Sequence, residues 1–290
     1  MRFLVGYTAT PAGADALALG ARFAQAPGAE LDIVLVLHAG ERATLTPADP
    51  GYDNFLHSLA EEWFVAALRL VPAGISAHTH IEYADSFTQG LLVAAERLQA
   101  DVVVVGAASH GLLGRFAIGS VAGGLLHSSK VPVALAPEGT RLLGPSEPIS
   151  RITCAVGTKV GAAGVLTAGI RLALTVDAPL RLVSLVAIDR PGDSAEATQL
   201  AAAHAQEVLD YATEHLIDGV DVTASVASGR SIEHAVRGLH WERAELCIVG
   251  SSRLAQPHRI FLGSIAAKML RELPVPLLVV PRDFTVTVGE

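Results

Sequence analysis

The sequence predicts an α/β chain of two tandem doubly wound parallel five-stranded sheets flanked by helices, and three observations predict it. The first is a repeat. Asp101-Val102-Val103-Val104-Val105-Gly106 returns as Glu245-Leu246-Cys247-Ile248-Val249-Gly250, Gly119-Ser120 as Gly263-Ser264, and Val131-Pro132-Val133 as Val275-Pro276-Leu277, all at an offset of 144 residues. The second is the alternation, within each half, of short apolar or β-branched runs with longer helical segments, which implies right-handed crossovers between parallel strands. The third is composition: 51% hydrophobic and 17% charged residues, with mean hydropathy +0.43, suit a sheet covered by helices on both faces. At 290 residues the chain is long enough for two domains, each with a core of its own.

In the first half, strands are expected near residues 2–7, 31–38, 76–83, 101–106 and 131–136. Met1-Arg2-Phe3-Leu4-Val5 runs directly into the first of them without a cleavage site. The helix that follows carries Gly20 and Arg22, which return as Gly169 and Arg171 at an offset of 149. The change of offset gives the first copy about five extra residues, and the natural place is Gly40 to Tyr52, where Pro47, Asp49, Pro50 and Gly51 favour turns. An apolar helix from Phe55 to Leu70 follows, with Trp63 as a packing residue. The Val102–Val105 run reads as a strand buried on both faces. Gly139 to Ser150, rich in Gly, Pro, Ser and charge, divides a first domain, 1–140, from a second, 150–285. In the second half, strands are expected near 151–157, 180–187, 220–227, 245–250 and 275–280, with Ile152-Thr153-Cys154-Ala155 matching Phe3-Leu4-Val5-Gly6 and Trp241 ending a helix.

Several function classes are excluded. No stretch approaches the roughly 18 uninterrupted apolar residues of a membrane span. The net charge of −8, without a basic run, disfavours nucleic acid and anionic membranes as partners. A cytoplasmic, soluble protein is expected. Cys154 and Cys247 each lie in an apolar run and read as buried free thiols. His78 and His80 alternate along one strand and read as an edge pair rather than metal ligands. Neither first strand is followed by Gly-x-Gly-x-x-Gly, and no Walker lysine follows a glycine-rich loop. Gly161-Ala162-Ala163-Gly164 fits close helix packing. Ala107-Ala108-Ser109-His110-Gly111 imitates a nucleophile elbow, but its partners, such as Asp177 and His204, fall in the other repeat, and the second copy lacks the motif. With no general base in the loops, a binding protein is expected rather than an enzyme.

The loops after the fourth strand of each copy carry the chemistry. Ligands on doubly wound sheets sit at the carboxyl ends of strands. A glycine there lets a ligand approach backbone, and Gly-Ser opening a helix presents N–H groups, a hydroxyl and the positive end of the helix dipole. These features describe an anion cradle. The plain alternative is that Ser120 and Ser264 cap the helices.

Both halves resemble universal stress protein domains. That family's phosphate motif is Gly, two residues, Gly, nine residues, Gly, then Ser or Thr. The first copy reads Gly106-Ala107-Ala108-Ser109, nine residues from His110 to Ile118, then Gly119-Ser120; the second reads Gly250-Ser251-Ser252-Arg253, nine residues from Leu254 to Leu262, then Gly263-Ser264. The resemblance spans nearly the whole chain. It implies an adenine nucleotide alpha hydrolase-like, Rossmann-like fold in a tandem, pseudo-two-fold arrangement, and ATP, AMP or another adenine nucleotide as ligand. Both copies depart from the motif at the second glycine. Ser109 adds little bulk, whereas Arg253 either clamps a phosphate or occupies its place. Arg115 and Arg259 are further phosphate partners. The family's aspartate after the first strand, which helps to hold the nucleoside, aligns with Thr8 and Gly157. After the third strand, Ala84-Asp85-Ser86 and Gly229-Arg230-Ser231 keep part of the family's turn. Last strands pair across a dimer in the family, so Val131–Ala136 is expected against Val275–Val280 within one chain; a homodimer of chains is compatible with this. Loss of the ligand would leave a regulatory scaffold of the same fold.

Overall fold

The computed structural model describes residues 1–38, 50–107, 119–144, 146–157, 162–187, 220–252, 260, 262–282 and 284, together with 199, 203, 206, 207 and 210. The first half contains β1 (Arg2–Gly6), α1 (Pro11–Phe23), β2 (Glu30–His38), α2 (Pro50–Leu68), β3 (Ser76–Ala84), α3 (Phe87–Arg97), β4 (Val102–Gly106), α4 (Ser120–Ser128) and β5 (Val133–Ala136). A 3-10 turn, Thr140–Leu143, leads to the second half. There follow β6 (Arg151–Ala155), α5 (Ala162–Val176), β7 (Leu180–Ala187), β8 (Val222–Gly229), α6 (Ile232–Gly238), β9 (Glu245–Gly250), α7 (Ser264–Leu270) and β10 (Leu277–Val280).

The strands form a single ten-stranded sheet in the order β3-β2-β1-β4-β5-β10-β9-β6-β7-β8. The two expected five-stranded sheets are its halves, and the second half repeats the first in mirror order. All pairings are parallel except the central one, where Leu277, Leu278 and Val279 of β10 lie antiparallel to Leu135, Ala134 and Val133 of β5. Because the centre is antiparallel, the two halves present their carboxyl strand ends at opposite edges of the sheet.

Alternation along the strands assigns each face its core. Phe3, Val5, Ile33, Val104, Ile152, Cys154, Ile248 and Leu278 share one layer with α1 and α5. Leu4, Val34, Val103, Val105, Cys247, Val249, Leu277 and Val279 share the other with α3, α4, α6 and α7. Each layer contains residues of both halves, so apolar burial joins them as well as strand pairing. Both thiols are free and buried. They lie in opposite layers although β6 and β9 are neighbours.

Some boundaries differ from expectation. Pro50, Gly51 and Tyr52, read as part of a turn-rich stretch, belong to α2, in keeping with proline's preference for the first helical turn. β5 and β10 begin one residue beyond Pro132 and Pro276, which supply only acceptors: their carbonyls take the N–H groups of Val103 and Cys247 at 2.9 Å. Trp241 follows α6 rather than ending it; its ring nitrogen donates to the Val236 carbonyl at 2.9 Å, and the Arg181 guanidinium stands 5.0 Å from its ring centroid.

Several charged groups inside the sheet are paired. Glu245, fully buried, receives Arg181 and Arg151 at 2.7 Å each, and the Thr153 hydroxyl donates to it. Burial pushes the Arg181 guanidinium below its ordinary pKa, and the Glu245 charge opposes this. On β3, an edge strand, His80 lies 2.7 Å from the buried Asp32, and His78 lies 3.3 Å from the Ser76 hydroxyl. Between the halves, Arg171 of α5 meets Asp101 at 2.8 Å. Arg22, its counterpart on α1, donates to the linker carbonyls of Thr140 and Gly144 at 2.8 and 3.2 Å.

Candidate functional site

β1 leads into a tight turn at the carboxyl edge of the first half. The Thr10 N–H bonds the Thr8 carbonyl at 2.7 Å, and the Thr10 hydroxyl caps α1 by accepting from Gly13 N at 3.2 Å. Gly13 is required there, since a Cβ would lie 1.9 Å from the Thr8 carbonyl oxygen. Thr8, the position aligned with the family's aspartate, is half-buried, with its hydroxyl 2.9 Å from that of Thr10. It can present a hydroxyl and a backbone to a ligand, but no charge.

Gly106 ends β4 beside this turn. A Cβ on it would lie 2.1 Å from the Ala12 carbonyl oxygen, so the first turn of α1 leaves no room for a side chain there. Its small size is set by helix packing. Ala107 N then bonds the Ala136 carbonyl at 2.8 Å, fastening the start of the loop to β5. In the second half Gly250 ends β9, and Ser251 N bonds Val280 O at the same distance.

The loops return at α4 and α7. The residues that cap them are Gly119 (φ −69°, ψ 170°) and Gly263 (φ −75°, ψ 163°), with no side-chain capping bond in either case. The reading of Ser120 and Ser264 as caps is therefore corrected: each is the first helical residue and is exposed. The physical reason lies in the backbone. An extended residue precedes each helix, and that residue is a glycine with no side-chain oxygen to offer. First-turn N–H groups are thus left facing the carboxyl edge, where positive potential collects. Gly263 packs against Ser252, whose Cβ would stand 3.3 Å from an added Cβ.

α4 is a weak helix by sequence. Gly123 and Gly124 occupy its middle, each costing about 1 kcal/mol relative to alanine. Gly124 is dictated by packing, because a Cβ there would lie 2.7 Å from the Thr88 hydroxyl of α3.

Ser109, Arg115, Arg253 and Arg259 lie outside the described residues, as do most of the nucleophile-elbow residues and His204. Asp177 is described: it follows α5 in the left-handed region, φ 52°, before the amino end of β7. Two linker residues, Gly139 and Arg141, are anchored to α1. Asp15 of α1, buried, binds the Arg141 guanidinium at 2.7 Å and accepts from Arg141 N and Gly139 N at 2.8 and 3.2 Å. Arg141 is thereby held against the opening of α1, 3.5 Å from the Pro11 carbonyl. A glycine with φ 88° at Gly139 is what turns the chain toward Asp15. The composition of that stretch signals a linker and conceals its anchoring role.

The universal stress protein family model matches residues 1–137 and 148–281. The chain belongs to the universal stress protein family. Universal stress protein Rv2319c from Mycobacterium tuberculosis (strain ATCC 25618 / H37Rv) is 31% identical over 293 residues, covering 97% of this chain and 100% of the relative. Universal stress protein Mb2346c from Mycobacterium bovis matches to the same extent. Among solved structures, a universal stress protein from Archaeoglobus fulgidus DSM 4304 aligns with a TM-score of 0.70, 18% identity, and coverage of 97% of this chain and 98% of that one. That likeness establishes a shared fold. Tandem universal stress protein halves thus account for the repeat, and among the described residues no helix is long and apolar enough to cross a membrane.

Proposed function

We propose that this universal stress protein is a stress-response regulator that binds an adenine nucleotide, ATP or AMP, without turning it over. The observation that carries this reading is the glycine-capped start of α4, whose first-turn N–H groups have no side-chain cap and whose Ser120 hydroxyl is exposed. Phosphate is the chemistry that such a terminus accepts. Gly119 and Ser120 hold the phosphate, Ser109 and Arg115 are its further partners by motif position, and Thr8 with the end of β4 at Gly106 borders the nucleoside. The first half is the stronger site, because Ser109 obstructs less than Arg253 and because α7 has only seven residues. In the second half Gly250, Arg259, Gly263 and Ser264 supply the matching groups, with Arg253 as clamp or plug.

The units in this reading are residues 1–140 and 150–285, and the β5–β10 pairing supports treating them as an internal pseudo-dimer. A second reading, a scaffold without ligand, draws support from Thr8, which brings no carboxylate and has its hydroxyl engaged by Thr10.

A thermal-shift panel with ATP, ADP, AMP and cyclic AMP at millimolar concentration separates the two. A ligand at about 1,000 times its dissociation constant stabilises by about 4 kcal/mol, so nucleotide binding predicts a clear rise in midpoint. A flat response to all four, with no adenine absorbance in the purified protein, supports the scaffold.

A further inference from the structure

The far end of α4 is fastened to the other half of the chain. Ser129, which follows the helix and is fully buried, bonds its N–H to the Leu125 carbonyl at 2.9 Å and its hydroxyl to the Val131 carbonyl at 2.7 Å. Its own carbonyl accepts the N–H of Ile260 at 3.0 Å. Ile260 is also fully buried, in the same core layer as Ala122, Leu125 and Leu126 of α4. It lies between Gly250 and Gly263, within the second half's phosphate-motif loop. One short helix therefore opens at the first candidate cradle and closes on the loop of the second.

Other helices of the first half are held differently. Thr10 caps α1 and Ser86 caps α3 through their hydroxyls, whereas α4 opens on Gly119 with no such bond and carries two glycines in its middle. A nine-residue helix of this composition has little stability of its own and persists through its tertiary contacts. Its two ends are the points at which those contacts are adjustable: an anion at the N-terminus, and the Ser129–Ile260 bond with its buried side chain at the other.

We propose that α4 couples the two halves: whatever orders this helix also tightens the Ile260–Ser129 bond, and loosening Ile260 frays α4. The identity of the trigger rests on the nucleotide reading above; the mechanical link does not. Linkage makes the effect reciprocal, so ligand at Gly119-Ser120 tightens the hold on Ile260 and a loosened Ile260 weakens ligand binding at Gly119-Ser120.

Amide hydrogen exchange on the full chain tests this, using wild type and Ile260→Ala, each without ligand and with ATP. Without ligand, Ile260→Ala is expected to accelerate exchange of the Gly123 to Ser129 amides at least tenfold, while α1 and β4 amides keep their rates. With ATP, the α4 amides and the Ile260 amide of wild type slow together. Unchanged α4 rates in Ile260→Ala overturn the coupling even if ATP binds. Accelerated α4 exchange in that variant, with no response to ATP in wild type, upholds the coupling and removes the nucleotide. Should Ile260→Ala not fold, wild type in low urea decides: coupling predicts one common opening isotherm for α4 and Ile260, and separate isotherms overturn it.

Discussion

Gly106 is a residue whose type was legible and whose reason was not. The sequence shows a small residue at a strand end; only the fold shows that Ala12 of α1 stands where its side chain would be. Gly106→Ala should lower stability by about 1–3 kcal/mol in urea titration, with or without nucleotide. An unchanged midpoint would mean that α1 yields. Ser120 and Ser264 illustrate the same limit: Gly-Ser before a helix fits either residue as the cap, and the extended φ and ψ of the glycine decide it. The cysteines were fully legible, because a thiol inside a run of β-branched residues has nowhere to go but the core. Burial pushes the Cys154 thiol up to about 12 and raises Cys247 as well. The native state then keeps a proton that the unfolded state surrenders near 9.0, so the stability is intact below that pH and is lost as pH rises toward 12. The expected slope is about 1.4 kcal/mol per pH unit for each thiol, measured by denaturant titration. Iodoacetamide should label neither cysteine until the chain unfolds.

At the scale of elements, the strands were read closely because buried parallel strands leave continuous β-branched runs. Their limits moved by two residues at β5 and β10, where proline withheld an N–H, at β8, where the run is too polar to mark its ends, and at the end of β6, and by one residue or none elsewhere. Helix starts were harder. Ser86 and Ser231, which the motif comparison treated as remnants of a turn, each cap a helix by accepting from the N–H of Gln89 and His234 at 3.2 Å. Ser86→Ala should therefore cost about 1 kcal/mol, and Ser86→Asp should recover it; equal midpoints for all three proteins would show that the cap contributes nothing. α4, which like α7 lacks any such cap, is an element where a bound anion would supply the missing partner.

For the whole molecule, the repeat made two similar halves legible, yet copies alone carry no information on how they meet. The pairing of last strands was expected from family resemblance, and the register of β5 with β10 supplies the rest. Its antiparallel sense turns the carboxyl strand ends of the two halves to opposite edges and brings Ile260 of the second half against Ser129, before the amino end of β5. Neither consequence could be read from residue patterns, since both depend on the direction of one four-residue strand. The central claim is that α4 offers its N-terminus to phosphate, and Ser120→Asp tests it most directly. A carboxylate at this position suits the helix dipole and should leave the unliganded midpoint unchanged or slightly higher, by about 0.3–1 kcal/mol. It should also repel phosphate. Thermal midpoints measured with and without ATP should show a clear shift in wild type that disappears in Ser120→Asp; an equal shift in both proteins, or none in wild type, would contradict the account.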